Sequence, residues 1–207
     1  YANLGFGGIT VGTATRNPRS GNTHKPRIGF LENERAIHNS MGLNNDGIEA
    51  IAARVDEQLI RSHKKGLCVG VSVAETPGLT NENEKIDDIL DCFTQAYKVG
   101  DYIEINVSCP NTGENRLDLD TRFSETIFSE IMRLRNTLGV RKAVFAKLSP
   151  DLSLRGLQTL LDVISKYGVN GVVLGNTFPT SKMDVLPVKA TWDSLTPLRA
   201  DGDKGGL

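Results

Sequence analysis

The sequence predicts an α/β chain organised as a (β/α)8 TIM barrel with about five β/α units present, and three observations predict it. Strand-like runs at residues 8–12, 67–73, 102–107, 143–148 and 171–174 are unbroken in apolar character, as strands covered on both faces of a parallel sheet are. Helical patterns separate them at intervals of roughly 30–40 residues, allowing for a longer loop after the first strand. Almost every strand also ends in a residue that can do chemistry: Gly12-Thr13, Ser72, the run from Asn106 to Asn111, Lys147, and Asn176-Thr177. In a barrel all C-terminal strand ends meet at one mouth, so these residues would face one ligand. A doubly wound sheet would gather its site at a single switch point. The opening Gly5-Phe6-Gly7-Gly8 also precedes its strand, whereas a dinucleotide loop follows one.

Each element has its own justification. After the first strand and its long loop, Ile48, Ile51, Ala52, Val55 and Leu59 mark one helical face, and the helix ends in the basic cluster His63-Lys64-Lys65, read as a solvated terminus. The second strand carries Ser72. Ile86, Ile89, Leu90, Phe93 and Tyr97 mark the second helix, on which Asp87, Asp88 and Asp91 read as a solvated face, with no metal assigned. The third strand, Tyr102 to Val107, runs straight into Ser108-Cys109-Pro110-Asn111-Thr112, where Pro110 stops regular pairing. Ile127, Phe128, Ile131, Met132 and Leu138 mark the third helix, and Lys147 sits near the end of the fourth strand. Leu157, Leu160, Leu161 and Ile164 mark the fourth helix, which starts after Asp151-Leu152-Ser153 with a capping side chain and stops at Gly168 in a left-handed turn.

Composition sets bounds. The chain has 207 residues, 39% hydrophobic and 24% charged, which suits one domain over 1–207. A net charge of -1 with scattered basic residues argues against a nucleic-acid partner. No apolar run approaches the ~18 residues of a membrane-spanning helix, and no signal pattern opens the chain. Cys68, Cys92 and Cys109 form no paired spacing, which points to a reducing compartment. A barrel of this type takes about 250 residues, so the chain is expected to be partial, lacking a strand before Tyr1 and two or three after Leu207. Its closing Gly205-Gly206 suits the approach of a phosphate, with no following helix to finish such a site.

The most informative stretch is Ile105 to Thr112, where a buried strand opens into a turn bearing amides and a thiol. Cys109 there can act as a nucleophile or as a base; a lone cysteine is otherwise a small inert hydrophobe, the reading given to Cys68 and Cys92. Lys147 ends an apolar strand, where an unpaired ammonium is costly to bury, so it either meets an anion or snorkels out of the mouth.

Taken together, Gly5-Phe6-Gly7, Val11-Gly12-Thr13, Gly21-Asn22 with Pro26-Arg27, Asn39 to Asn45, Asn106 to Thr112, Lys147 to Asp151, and Asn176-Thr177 resemble the dihydroorotate dehydrogenase family in the right order over essentially the whole chain. The resemblance implies flavin mononucleotide (FMN) bound at the top of a (β/α)8 barrel and oxidation of dihydroorotate to orotate in pyrimidine biosynthesis, toward UMP. It places Cys109 as the base that removes the C5 proton on the face opposite the flavin. A thiol of ordinary pKa about 8.5 serves if neighbours stabilise its thiolate. Thr13, Ser72, Asn106, Lys147 and Gly175 are implied to contact the flavin, with the lysine charge favouring its reduced form. Asn44, Asn106, Asn111, Asn176 and Thr177 are implied to hold the pyrimidine, since side-chain amides both give and accept hydrogen bonds. The competing reading of each asparagine is turn chemistry.

The resemblance also bears on the electron acceptor. The long segment from Gly12-Thr13 to Pro26-Arg27 and the terminal Gly205-Gly206-Leu207 look like the membrane-associated, quinone-dependent class 2. That class normally has serine at Cys109, asparagine at Ser72 and threonine at Gly175, whereas a cysteine base is typical of the soluble class 1. Quinone is therefore the favoured acceptor, with fumarate or a partner subunit leading to a nicotinamide as alternatives. The implied location is cytoplasmic, peripheral on a membrane if quinone is used. A flavin-dependent dihydropyrimidine dehydrogenase, whose loop also carries a Cys-Pro pair, and a truncated barrel acting as a binding scaffold are the alternative functions.

Overall fold

A computed structural model of the chain describes residues 1–23, 25–31, 36–107, 121–150, 152–175 and 177. After a single 3-10 turn at Ala2–Leu4 come β1 (Gly8–Ala14), β2 (Ile28–Leu31), β3 (Ala36–Asn39), α1 (Ile48–Lys64), β4 (Cys68–Val73), α2 (Glu82–Val99) and β5 (Tyr102–Asn106). α3 (Thr121–Arg135), β6 (Ala143–Leu148), α4 (Leu154–Tyr167) and β7 (Gly171–Leu174) follow. Five strands form one sheet in the order β1-β4-β5-β6-β7, and every pair is parallel. Spatial order thus follows chain order without reversal. Right-handed crossovers then place all the helices on one face, the arrangement of a (β/α)8 barrel and not of a doubly wound sheet.

Strand side chains alternate between the two faces, and the sequence sorts them accordingly. Val69, Val71, Val73, Ile103, Ile105, Val144, Ala146 and Leu148 form the helix-side face, fully buried against residues such as Ile51, Phe93, Phe128 and Leu160. The opposite, inner face carries Thr10, Gly70 and Tyr102 in one registered row and Ser72, Glu104, Phe145 and Gly171 in the next. β4 and β5 are buried on both faces along nearly their whole length, as their apolar character predicted, whereas β1 exposes Gly8, Thr10 and Gly12 on its inner face and β7 ends on an exposed Leu174; the inner rows are polar and aromatic.

Helix ends follow local chemistry. The side chain of Asn81 accepts hydrogen bonds from the backbone of Asn83 and Glu84 to start α2, and Ser153 accepts from Gly156 N to start α4. Gly168 closes α4 in the left-handed conformation (φ 71°).

The structure departs from the sequence reading in three places. The segment after β1, read as loop, holds an antiparallel hairpin in which Phe30 pairs with Ile37; its strands are four residues each and Phe30 is 74% exposed, so no buried apolar pattern announced it. Asp88 does not belong to a solvated face: it is buried and accepts hydrogen bonds from Thr76 N (2.7 Å) and Thr76 Oγ1 (2.9 Å), while Asp91 pairs with Arg16 at 3.1 Å. Cys68, read as an inert core thiol, is exposed at the first position of β4. Cys92 is buried as read, and burial first, then the nearby Asp88 and Asp91 charges, push its thiol far above the ordinary value.

Candidate active site

Three adjacent strands deliver a connected set of polar groups to their C-terminal ends. Thr13 is the penultimate residue of β1, within the strand and not after it; Ser72 lies in β4, and Glu104 and Asn106 lie in β5. Ser72 Oγ donates to Glu104 Oε1 at 2.7 Å, Thr13 Oγ1 lies 3.0 Å from Ser72 Oγ, and Asn106 Nδ2 donates to Thr13 Oγ1 at 2.9 Å. Ser72, Glu104 and Asn106 are only 3%, 6% and 5% exposed. Polar groups buried to that degree must satisfy one another, and this chain of bonds does so.

The close approach of β1 to β4 depends on Gly12. Its φ is 124°, and a Cβ there would stand 2.6 Å from the backbone oxygen of Ser72. Only glycine lets Thr13 reach Ser72 at hydrogen-bond distance. Parallel pairing of β1 with β4 is irregular between Val11 and Ala14, the same stretch.

Lys147 is the registered partner of Asn106 across β5 and β6. It is half-buried, and among the described residues no carboxylate lies within ion-pairing distance of it. An ammonium held this way at the mouth of the sheet attracts an anionic or electron-rich ligand.

The remaining predicted positions are placed less centrally. Asn44 is exposed, and its neighbour carries the structural bonds: Asn45 Oδ1 accepts from Gly47 N (2.8 Å), and Asn45 Nδ2 donates to Thr15 Oγ1 (2.9 Å) and Leu43 O (2.8 Å). Those bonds tie the segment after the hairpin to the end of β1 and to the start of α1. Gly175 is exposed with φ 121°, and Thr177 is half-buried beyond the end of β7. Cys109, Asn111 and Asn176 lie outside the described residues.

Sequence reasoning missed two acidic residues. Glu104 stands two positions before Asn106 on the same face of β5, and a charge inside Tyr-Ile-Glu-Ile-Asn was the signal available for it. Glu75 follows β4; its carboxyl lies 4.0 Å from Lys85 Nζ, and one of its oxygens is buried without a hydrogen-bond partner among the described residues. Burial dominates there, with Lys85 opposing it and Asp88 adding to it, so the Glu75 pKa rises from 4.5 to about 7. Lys85 also lies over the ring of Phe123 in the first turn of α3, 5.5 Å from its centroid.

Comparison with known proteins agrees with this arrangement. The family model described as dihydroorotate dehydrogenase matches residues 1–205. A protein named dihydroorotate dehydrogenase (quinone) from Coxiella burnetii (strain Dugway 5J108-111) is 37% identical over 84% of this chain and 49% of its own length. One of the same name from Polaromonas naphthalenivorans is 32% identical over 100% of this chain and 57% of its own. A crystal structure of DHODH from Eimeria tenella in complex with ferulenol superposes with a TM-score of 0.75 at 28% identity, over 84% of this chain and 51% of that one. The chain thus spans about half the length of the relatives it matches. A single-direction parallel sheet, a polar cluster at its C-terminal strand ends and a family match over residues 1–205 together place this chain in the dihydroorotate dehydrogenase family.

Proposed function

We propose that this chain is an FMN-binding barrel domain, partial over 1–207, of an enzyme that oxidises dihydroorotate to orotate in pyrimidine biosynthesis. The observation that carries the reading is the hydrogen-bonded chain Asn106–Thr13–Ser72–Glu104 at the strand ends, beside Lys147, which has no carboxylate within ion-pairing distance among the described residues. Its donor set suits a flavin, whose isoalloxazine edge offers both acceptors and a donor: a half-buried hydroxyl and an amide can hydrogen-bond that edge, and an ammonium can face electron-rich atoms.

In this reading Thr13, Ser72, Asn106, Lys147 and Gly175 hold the flavin. When bound, the flavin supplies the acceptor for the hydride that leaves C6 of dihydroorotate. Cys109 takes the proton from C5, which the adjacent carbonyl makes acidic, so one proton and one hydride leave and a ring double bond forms. Asn44, Asn106, Asn111, Asn176 and Thr177 orient the pyrimidine and its carboxylate, and Lys147 keeps a positive charge beside the electron-rich ring.

Quinone is the proposed electron acceptor, supported by the names of the relatives. No helix of the described residues is long and apolar enough to cross a membrane, and a cytoplasmic location with peripheral membrane contact is the proposed one. The test is formation of orotate by the full-length native protein, followed by its ultraviolet absorbance with quinone, fumarate or a nicotinamide supplied in turn. Dihydroorotate should be consumed and dihydrouracil should not; the reverse preference contradicts the assignment.

A further inference from the structure

The hydrogen bonds at the strand ends have a direction, and one residue sets it. A serine or threonine hydroxyl carries a single proton. Ser72 spends its proton on Glu104 Oε1, 2.7 Å away in a site where Glu104 is 6% exposed. In the 3.0 Å contact between Ser72 and Thr13, therefore, the donor is Thr13. With that proton committed, Thr13 Oγ1 can only accept in every other bond it makes, and it does accept from Asn106 Nδ2 at 2.9 Å. The order of donors runs Asn106 to Thr13 to Ser72 to Glu104, from the strand ends inward to a group that has only acceptors when ionised.

We infer that Glu104 is a positioning residue that makes Thr13 an obligate hydrogen-bond acceptor toward every group but Ser72. The inference rests on the flavin reading above, because it assigns to Thr13 a fixed polarity toward that ligand. Thr13 is half-buried and so reachable. It offers a lone pair to an N–H of the bound group and has no proton to give to a ligand carbonyl. The physical content is that an acceptor at the bottom of the chain selects one of two otherwise equivalent orders of donors. A glutamine at 104 removes that selection. Its amide can donate to Ser72, which frees the Ser72 proton for Thr13 and leaves the Thr13 proton available to another acceptor.

The test is a double-mutant cycle read by flavin affinity, not by turnover. FMN dissociation constants are measured by quenching of flavin fluorescence for the full-length native protein, E104Q, S72A and the double variant, with thermal midpoints recorded alongside. E104Q is expected to weaken FMN binding roughly tenfold, the scale of one charge-assisted hydrogen bond. Because Ser72 is the one link between Glu104 and Thr13 among the described residues, E104Q should change affinity less than about twofold in the S72A background. Effects that multiply, or an E104Q protein with wild-type affinity, overturn the inference. E104D retains an acceptor-only group and should bind FMN more tightly than E104Q whatever its thermal midpoint; the opposite order also overturns it. A native protein that binds no FMN overturns the flavin reading itself, and this inference with it, whereas failure of the cycle in a protein that binds FMN overturns the inference alone.

Discussion

The ring of Tyr102 lies directly over Gly70. A Cβ at position 70 would stand 2.1 Å from Tyr102 Cε2, and the Tyr102 hydroxyl reaches past it to Thr10 Oγ1 (2.8 Å) and Ile9 O (3.1 Å). This one side chain crosses β4 to reach β1, two strands from its own, and it packs edge-on against Phe145 of β6 with ring centroids 5.6 Å apart. The inner face below the polar cluster is thus set by an aromatic that fits only above a glycine. G70A should force the ring aside and lower stability by about 1–3 kcal/mol, read as the midpoint of thermal unfolding. An unchanged midpoint would show that the ring can move freely.

Gly12 should be equally intolerant, with a different readout. Its positive φ and the Ser72 oxygen 2.6 Å from a Cβ mean that G12A pushes the end of β1 away from β4 and breaks the Thr13–Ser72 contact. Flavin affinity is expected to fall by at least roughly tenfold, the equivalent of about 1.4 kcal/mol, while far-ultraviolet circular dichroism stays native. Retained affinity would separate Thr13 from the flavin site.

Cys109 is proposed as the base, so C109A should nearly abolish dihydroorotate oxidation and leave FMN bound. C109S should keep partial activity with its pH optimum moved upward, because a hydroxyl is a much weaker acid than a thiol. A pH profile identical to that of the native protein would mean that the thiol is not the titrating group.

Lys147 brings a positive charge into register with Asn106. K147M should lower the midpoint potential of the bound flavin by roughly 30 mV, the two-electron equivalent of a ~1.4 kcal/mol charge interaction, and slow flavin reduction. Spectroelectrochemical titration checks it; an unchanged potential would leave Lys147 as a solvated side chain.

Glu75 predicts a pH dependence of stability. Its folded pKa of about 7 exceeds the ordinary 4.5. Between those values the unfolded chain releases a proton that the folded chain keeps, so the stability contributed by the protonated form is complete below about pH 4.5 and is lost as pH rises through about 7. E75Q removes this titration. From pH 5 to pH 8 the variant should lose on the order of 2 kcal/mol less stability than the native protein, measured by urea unfolding at each pH. Parallel pH profiles would contradict the burial of this carboxyl.

What the sequence made legible follows the physics of each element. Strands β4 to β7 were readable because their runs are apolar almost throughout, with Val69, Val71, Val73, Ile103, Ile105, Val144, Ala146 and Leu148 buried on the helix side, and the stop of α4 at Gly168 was readable because a left-handed terminus needs glycine. Thr13, Ser72, Asn106 and Lys147 were readable as a set because parallel strands all point their C-terminal ends the same way. The hairpin was not, since Ile28, Phe30 and Ile37 are exposed. Asp88 was not, because its burial comes from a hydrogen bond to Thr76, twelve residues earlier, which no helical periodicity reports. Glu104 was hidden for a related reason: its partner, Ser72, is adjacent only through the β4–β5 register.

The measurement that tests the central claim most directly is the visible flavin spectrum of the full-length native protein under anaerobic conditions, before and after addition of dihydroorotate. The proposed chemistry predicts a bound flavin whose visible absorbance bleaches rapidly on mixing, since a two-electron reduction removes the oxidised chromophore. A protein without flavin, or a bound flavin that stays oxidised in the presence of dihydroorotate, would contradict it.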